Sequence, residues 1–373
     1  MTRDVFLFGT LRHEALRAHV IGGEMRSVPA RLPGHVVLSD LEGLPVPVAR
    51  PGEDAEGLLI SGLDAGQEAR LDAYEVPFGY VAREMTVADA DGRERSARVY
   101  FAPDAVAEDA PPWDLERWVR THGAAARFAA EEIAAHDPAP AGPALSAQWP
   151  RIRARSEARA RAAGSMAVAT MRHAPEAPER SGERVLGGDF FKLVGIDLSF
   201  GGFDGARVAQ SREVFVGFDA ALVLPWDAAR GRVMLVEQLR AGPATRRDPC
   251  PWTLEPVAGL VDAGEGPDEA AAREAREEAG LTFSRLERMF GGYPSPGAST
   301  EFYHCYLGHA DLPEEGATLG GLEDEDIRRH VLTLDAALAL VDTGEVTAMP
   351  AIAMLLWLDR QVRRAMAMGE DAT

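Results

Sequence analysis

The sequence predicts a two-domain chain of mixed structure, α+β in its first part and α/β in its second. Three observations carry this. At 373 residues, 46% of them hydrophobic, the chain is too long for one ordinary core and long enough for two. A β-rich pattern runs from VFLFGTL (5–11) to VYF (99–101), and LPG, LEGLP and ARPGED punctuate it as turns. From Phe190 a second β pattern (KLVGIDLSF, REVFVGF, AALVLPW, VMLVEQL) leads into an acidic helical segment and a closing helix near 348–366.

Between the two patterns, 113–136 reads as helix and DPAPAGPA (137–144) as a hinge or exposed connection. RIRARSEARARAAG follows, with arginines at 151, 153, 155, 159 and 161. In so acidic a chain it reads as a solvated helix or linker and is assigned no function. The expected organisation is a first domain over 1–136, a linker and helical connection over 137–183, and a second domain over 184–373.

Charge and composition exclude several function classes. A net charge of −20 argues against nucleic acid, because phosphate backbones are bound by basic surfaces. A phosphorylated substrate would therefore need cations between it and the protein. The first residues are too short and too charged for a signal-peptide core, and AMPAIAMLLWL cannot span a bilayer. A cytoplasmic protein away from membranes is expected. Cys250 and Cys305 cannot make a disulfide framework and lack the spacing of a zinc site.

The segment GLVDAGEGPDEAAAREAREEAGL (259–281) holds seven acidic residues. Gly266-Pro267 reads as a helix start and Gly280 as its end, which predicts a helix from about Pro267 to Ala279. On it Glu274, Glu277 and Glu278 stand at i, i+3 and i+4, so their carboxylates share one face. Arg273 lies beside them and can reach back to Glu265. Like charges at this spacing repel unless a cation sits among them. Hard divalent ions take oxygen ligands and bridge to phosphates, so the cluster reads as a metal–phosphate site, and the competing reading is a solvated acidic face.

Gly259, five residues, Glu265, seven residues and then REAREEAGL resembles the Nudix box over its full length, with Ala275 where the family usually has a larger aliphatic residue. EQLR (237–240), PWTLEPVAG (251–259) and SPGASTE (295–301) are similar to the corresponding segments of the ADP-ribose pyrophosphatase subfamily. The resemblance implies an α/β/α sandwich and hydrolysis of the diphosphate of ADP-ribose to AMP and ribose 5-phosphate. It implies Mg²⁺, or Mn²⁺, held by Glu274, Glu277, Glu278 and the carbonyl of Ala258. Arg240 and Arg212 would hold the diphosphate or terminal ribose, with Pro296 in a ribose-facing turn. Glu323 or Glu325, in GLEDEDIRRHV (321–331), would supply the catalytic base, and a homodimer would bring Arg212 toward the partner's site. Other nucleoside diphosphate sugars, dinucleotides and a non-catalytic ADP-ribose sensor remain alternatives.

In the first domain, FLFGTLR (6–12), LPG (32–34), AEGLLISGL (55–63) and LDAYEVPFGYVAREMTV (71–87) resemble the small AIG2-like branch of the γ-glutamylcyclotransferase family. That implies a β-barrel domain in which Gly9, Thr10 and Leu11 form a carboxylate-binding turn. Glu75 would be the acid/base of a γ-glutamyl cyclisation, the further alternative for the chain's main activity. Phe8 stands where the family usually has Tyr. The pairing of both parts in one chain also resembles tellurite-resistance proteins.

Overall fold

The structure is a computed structural model and describes residues 3–23, 25–102, 106–107, 109–136, 142–166, 170–171, 177–314 and 326–369. Its contacts divide into two units, one of Met1–Phe190 with Gly195–Ser211 and the other of Phe191–Val194 with Arg212–Thr373. Among the described residues no helix is long and apolar enough to cross a membrane.

In the first unit, strands β1 (Arg3–Leu7), β2 (Arg26–Ser39), β3 (Pro45–Leu63), β4 (Val81–Asp89) and β5 (Glu94–Phe101) close into a barrel in the order β1-β3-β2-β4-β5. Val5 pairs in parallel with Arg98 to complete the ring. Alternation along the strands fills the interior. Phe6, Leu32, Leu59, Val87 and Val99 point inward into one cluster, while Val5, Leu7, Ile60 and Tyr100 face the other way. That second face is covered by α1 (Glu14–Val20), α2 (Ala65–Glu75) and α3 (Leu115–Trp118), through Leu16, Leu71 and Trp118. Asp64 caps α2 in a reciprocal box with Gln67. The helical stretch expected over 113–136 is α3, a π-helical turn over Val119–Gly123, and α4 (Ala124–Ala134).

The arginine-rich run is helical, as α5 (Pro143–Gly164), but the expected solvated face fails at Arg155. That side chain is fully buried and makes a bidentate pair with buried Glu132 of α4. It also donates to the carbonyl of Phe190 at 2.8 Å. The pairing partner lies 23 residues away, beyond the reach of a local composition reading. Next come β6 (Glu179–Gly187), β7 (Lys192–Gly201) and β8 (Arg207–Val216), forming a separate three-stranded sheet.

The second unit centres on a seven-stranded mixed sheet ordered β11-β10-β9-β14-β13. In it β12 adds to β9 and β15 adds to β10. Its strands are β9 (Asp219–Asp227), β10 (Arg232–Leu239), β11 (Trp252–Glu255), β12 (Val257–Leu260), β13 (Arg285–Gly292), β14 (Phe302–His309) and β15 (Arg328–Thr333). The helices are α6 (Ala241–Arg246), α7 (Pro267–Ala279), α8 (Leu334–Thr343) and α9 (Met349–Met368).

The unbroken apolar run AALVLPW is explained by burial of both sheet faces. Ala221 and Val223 pack with Ala270, Ala271 and Ala275 of α7. Leu222, Leu224 and Trp226 pack with Leu334 of α8 and with Met354, Leu355 and Leu358 of α9. This is the α/β/α sandwich that the resemblance implies.

Candidate functional site

Helix α7 runs over Pro267–Ala279, with Pro267 in its first turn and Gly280 at φ 63° ending it. Ala270, Ala271, Ala275 and Ala279 are its buried stripe, Ala275 at 0% exposure. Two of its carboxylates, Glu274 and Glu278, lie against the adjoining strand β12. Glu278 is 6% exposed and accepts from the Ala258 amide at 3.1 Å.

Glu274 is pressed against Gly259, where a β-carbon would stand 1.8 Å from its Oε1. Only glycine leaves room for that carboxylate against the strand. This accounts physically for the glycine that opens the motif.

Arg273 ties the group together. It donates to Glu265 at 2.8 and 3.2 Å, to Glu274 at 2.6 Å, to Glu277 at 2.9 Å and to the Leu260 carbonyl at 3.1 Å. Hydrogen bonding to Glu265, ahead of the other carboxylates, raises its pKa and keeps it charged. Among the described residues, no group of three or more His, Cys, Asp or Glu side chains is placed to hold a metal ion. Glu274 and Glu277 are instead drawn to Arg273. The donor set nevertheless suits a hard divalent cation. It is oxygen-only, its three carboxylates sit on one helix beside the Ala258 carbonyl of β12, and the missing side chain at Gly259 leaves room for the Glu274 carboxylate.

Arg240 closes β10 and forms a bidentate pair with Glu255 of β11, with contacts of 2.6 to 3.1 Å. The turn carrying Pro296 is exposed and closed by Ser299 N–H on the Ser295 carbonyl at 2.9 Å. It docks on β8, since the Phe215 amide donates to Ala298 at 2.8 Å and the Thr300 amide donates to Phe215 at 3.0 Å. Arg212 is exposed three residues earlier on β8. The turn and that strand therefore come together. Glu323 and Glu325 lie outside the described residues.

Arg329 was not singled out from the sequence. It is 6% exposed and donates to the Ala279 carbonyl at 2.7 Å, satisfying the end of α7 from β15. No local motif announces it, because its partner is 50 residues away.

In the first unit, Gly9, Thr10, Leu11 and Glu75 line one cavity of about 350 Å³. Gly9 precedes a short 3-10 turn over Thr10–Arg12. Buried Arg17 steadies the turn by donating to the carbonyls of Leu11 and Arg12, both at 3.0 Å. Glu75 ends α2, and burial pushes its carboxyl up to about 8. Phe8 lines the cavity without a hydroxyl, but Tyr74 and Tyr80 line it as well. Tyr74 is hydrogen-bonded to Thr10, and burial raises both phenols above their ordinary value. The two tyrosines are the functional candidates that the sequence reading passed over, although both stand inside the quoted LDAYEVPFGYVAREMTV.

A NUDIX domain model matches residues 218–352, and a gamma-glutamyl cyclotransferase, AIG2-like model matches residues 5–120. The ADP-ribose pyrophosphatase of Escherichia coli (strain K12) is 36% identical over 148 residues, which are 39% of this chain and 70% of that protein. The ADP-ribose pyrophosphatase of Haemophilus influenzae is 33% identical over 181 residues, 48% of this chain and 83% of that protein. The GDP-mannose pyrophosphatase of Escherichia coli O1:K1 / APEC is 29% identical over 176 residues, 47% of this chain and 92% of that protein. With its glutamate-bearing helix, its sandwich and these relatives, the chain belongs to the Nudix hydrolases and carries an AIG2-like γ-glutamyl cyclotransferase segment ahead of the Nudix segment.

Proposed function

We propose that the second unit hydrolyses the diphosphate bond of ADP-ribose, giving AMP and ribose 5-phosphate. The observation that carries this is the placement of Glu274 and Glu278 against β12, one beside Gly259 and one on the Ala258 amide. Glu274, Glu277, Glu278 and the Ala258 carbonyl would hold Mg²⁺ or Mn²⁺. A bound divalent ion neutralises the diphosphate and acidifies water for attack on phosphorus.

The protein's own groups do the rest. Arg273 and Glu265 fix the carboxylates' positions on α7. Arg240 is 41% exposed, so its guanidinium can meet a diphosphate oxygen from the solvent side while Glu255, 14% exposed, keeps its pair. Arg212 and the Pro296 turn would hold the terminal ribose, and Glu323 or Glu325 would orient water.

A homodimer is part of this reading, as β7 and β8 are similar to the strands that family members exchange between subunits. The reading is tested with a panel of ADP-ribose, GDP-mannose and dinucleotides, followed by phosphatase-coupled phosphate release. ADP-ribose is expected to give the highest kcat/KM, and equal or greater turnover of another member would replace it as the substrate.

A second reading concerns the first unit and is favoured by Glu75. At pH 7 its carboxyl is largely protonated in an aromatic cavity that also holds the Gly9-Thr10-Leu11 turn. This suits cyclisation of a γ-glutamyl amide. The α-nitrogen attacks the γ-carbonyl, the amide C–N bond breaks, and 5-oxoproline and a free amine result. Glu75 would carry the proton from the attacking nitrogen to the leaving one.

A further inference from the structure

The cavity of the first unit is not built by the family-matched residues alone. The match ends at residue 120, yet Trp149, Arg153 and Glu157 of α5 form part of the lining. Helix α5 is fastened just after Glu75. Ser146 Oγ donates to the Pro77 carbonyl at 2.7 Å, and the Trp149 ring meets Phe78 edge-on at 4.9 Å. Trp149, Arg153 and Glu157 are spaced at i, i+4 and i+8, so they follow one face of α5 from Phe78 outward.

Among the described lining residues, Arg153 is the one permanently charged cation. Burial, and then Arg153 itself, lowers the pKa of the neighbouring His122, which keeps that imidazole neutral. Arg153 Nε donates to Glu157 at 3.0 Å, and Nη1 lies 4.0 Å from exposed Glu42. At 34% exposure these pairs are worth little, and a ligand carboxylate can take up guanidinium donors that Glu157 does not use.

We infer that α5 is the specificity wall of this cavity. In this reading Arg153 takes a carboxylate on the amine half of a γ-glutamyl amide, and Trp149 covers that half's apolar body. The preferred ligands are then γ-glutamyl amino acids, and γ-glutamyl amides of simple amines are disfavoured. The inference rests on the cyclisation reading for the identity of the γ-glutamyl half. It adds a selecting helix that the family match does not include.

The test uses the full chain and two probes that differ by one carboxylate, γ-glutamyl-phenylalanine and γ-glutamyl-phenethylamine. Binding is read by calorimetry, or by KM where a probe is turned over, and 5-oxoproline is assayed in the same samples. The wild type is expected to prefer the acid about tenfold or more, the scale of one charge-assisted contact. Arg153→Gln should erase that preference while circular dichroism is unchanged, and Arg153→Lys should keep part of it. Equal binding of the probes, a preference that survives Arg153→Gln, or no binding of either probe would overturn the inference. An Arg153-dependent preference without 5-oxoproline would instead overturn the cyclisation reading and leave the role of Arg153 standing.

Discussion

Glu274 lies against Gly259 so closely that a β-carbon there would stand 1.8 Å from Oε1 and 2.0 Å from Cδ. The clash is with the end of a flexible side chain, so Gly259→Ala should leave the fold intact and displace the carboxylate. Misplacing a catalytic group by about 1 Å costs on the order of a hundredfold. ADP-ribose turnover should fall by about that factor with an unchanged melting temperature. Wild-type turnover in Gly259→Ala would show that Glu274 has no part in the reaction.

Arg155 and Glu132 form a buried ion pair, with side chains 0% and 4% exposed. Arg155→Met would leave Glu132 as an uncompensated buried charge, which costs about 3–5 kcal/mol. Chemical denaturation should register that loss, and Glu132→Gln in the same chain should recover part of it. A loss below about 1 kcal/mol would mean that the pair is open to water.

These two relationships differ in how far they can be read from the sequence. The bounds of α7 follow from Gly266-Pro267 and Gly280, and the reach of Arg273 to Glu265 follows from helical spacing, because both are local. The strand β9 was legible as the apolar run AALVLPW, but which of its positions face α7 and which face α8 and α9 was not, because both faces are buried. Arg155 on Glu132, Arg329 on Ala279 and the docking of α5 beside Phe78 were not. Each joins residues far apart in the chain through a side chain whose type, Arg or Trp, fits a solvated surface as well as a core.

Burial raises the Glu75 carboxyl from its ordinary 4.5 to about 8. Between those values the folded state binds more protons than the unfolded one, so stability falls with rising pH. The contribution is complete below about 4.5 and lost by about 8. Thermal melts of the wild type should therefore decline relative to Glu75→Gln between pH 5 and about 8. Parallel curves would show that Glu75 is solvated. ADP-ribose hydrolysis should be unchanged in Glu75→Gln, because the lining of its cavity belongs wholly to the first unit.

Light scattering at micromolar concentration should report about twice the chain mass of 40.1 kDa. A fully active monomer would remove Arg212 from the site.

The central claim is that the α7 carboxylates act through a divalent ion on a nucleoside diphosphate sugar. The direct measurement is ADP-ribose turnover by the wild type and by Glu278→Gln, each with Mg²⁺ and with EDTA. Glu278→Gln keeps the side-chain volume and an acceptor for the Ala258 amide, so folding should be preserved. The account predicts AMP and ribose 5-phosphate from the wild type with Mg²⁺, none with EDTA, and turnover lower by about a hundredfold or more in Glu278→Gln. Hydrolysis that survives EDTA, or that proceeds equally in Glu278→Gln, would contradict it.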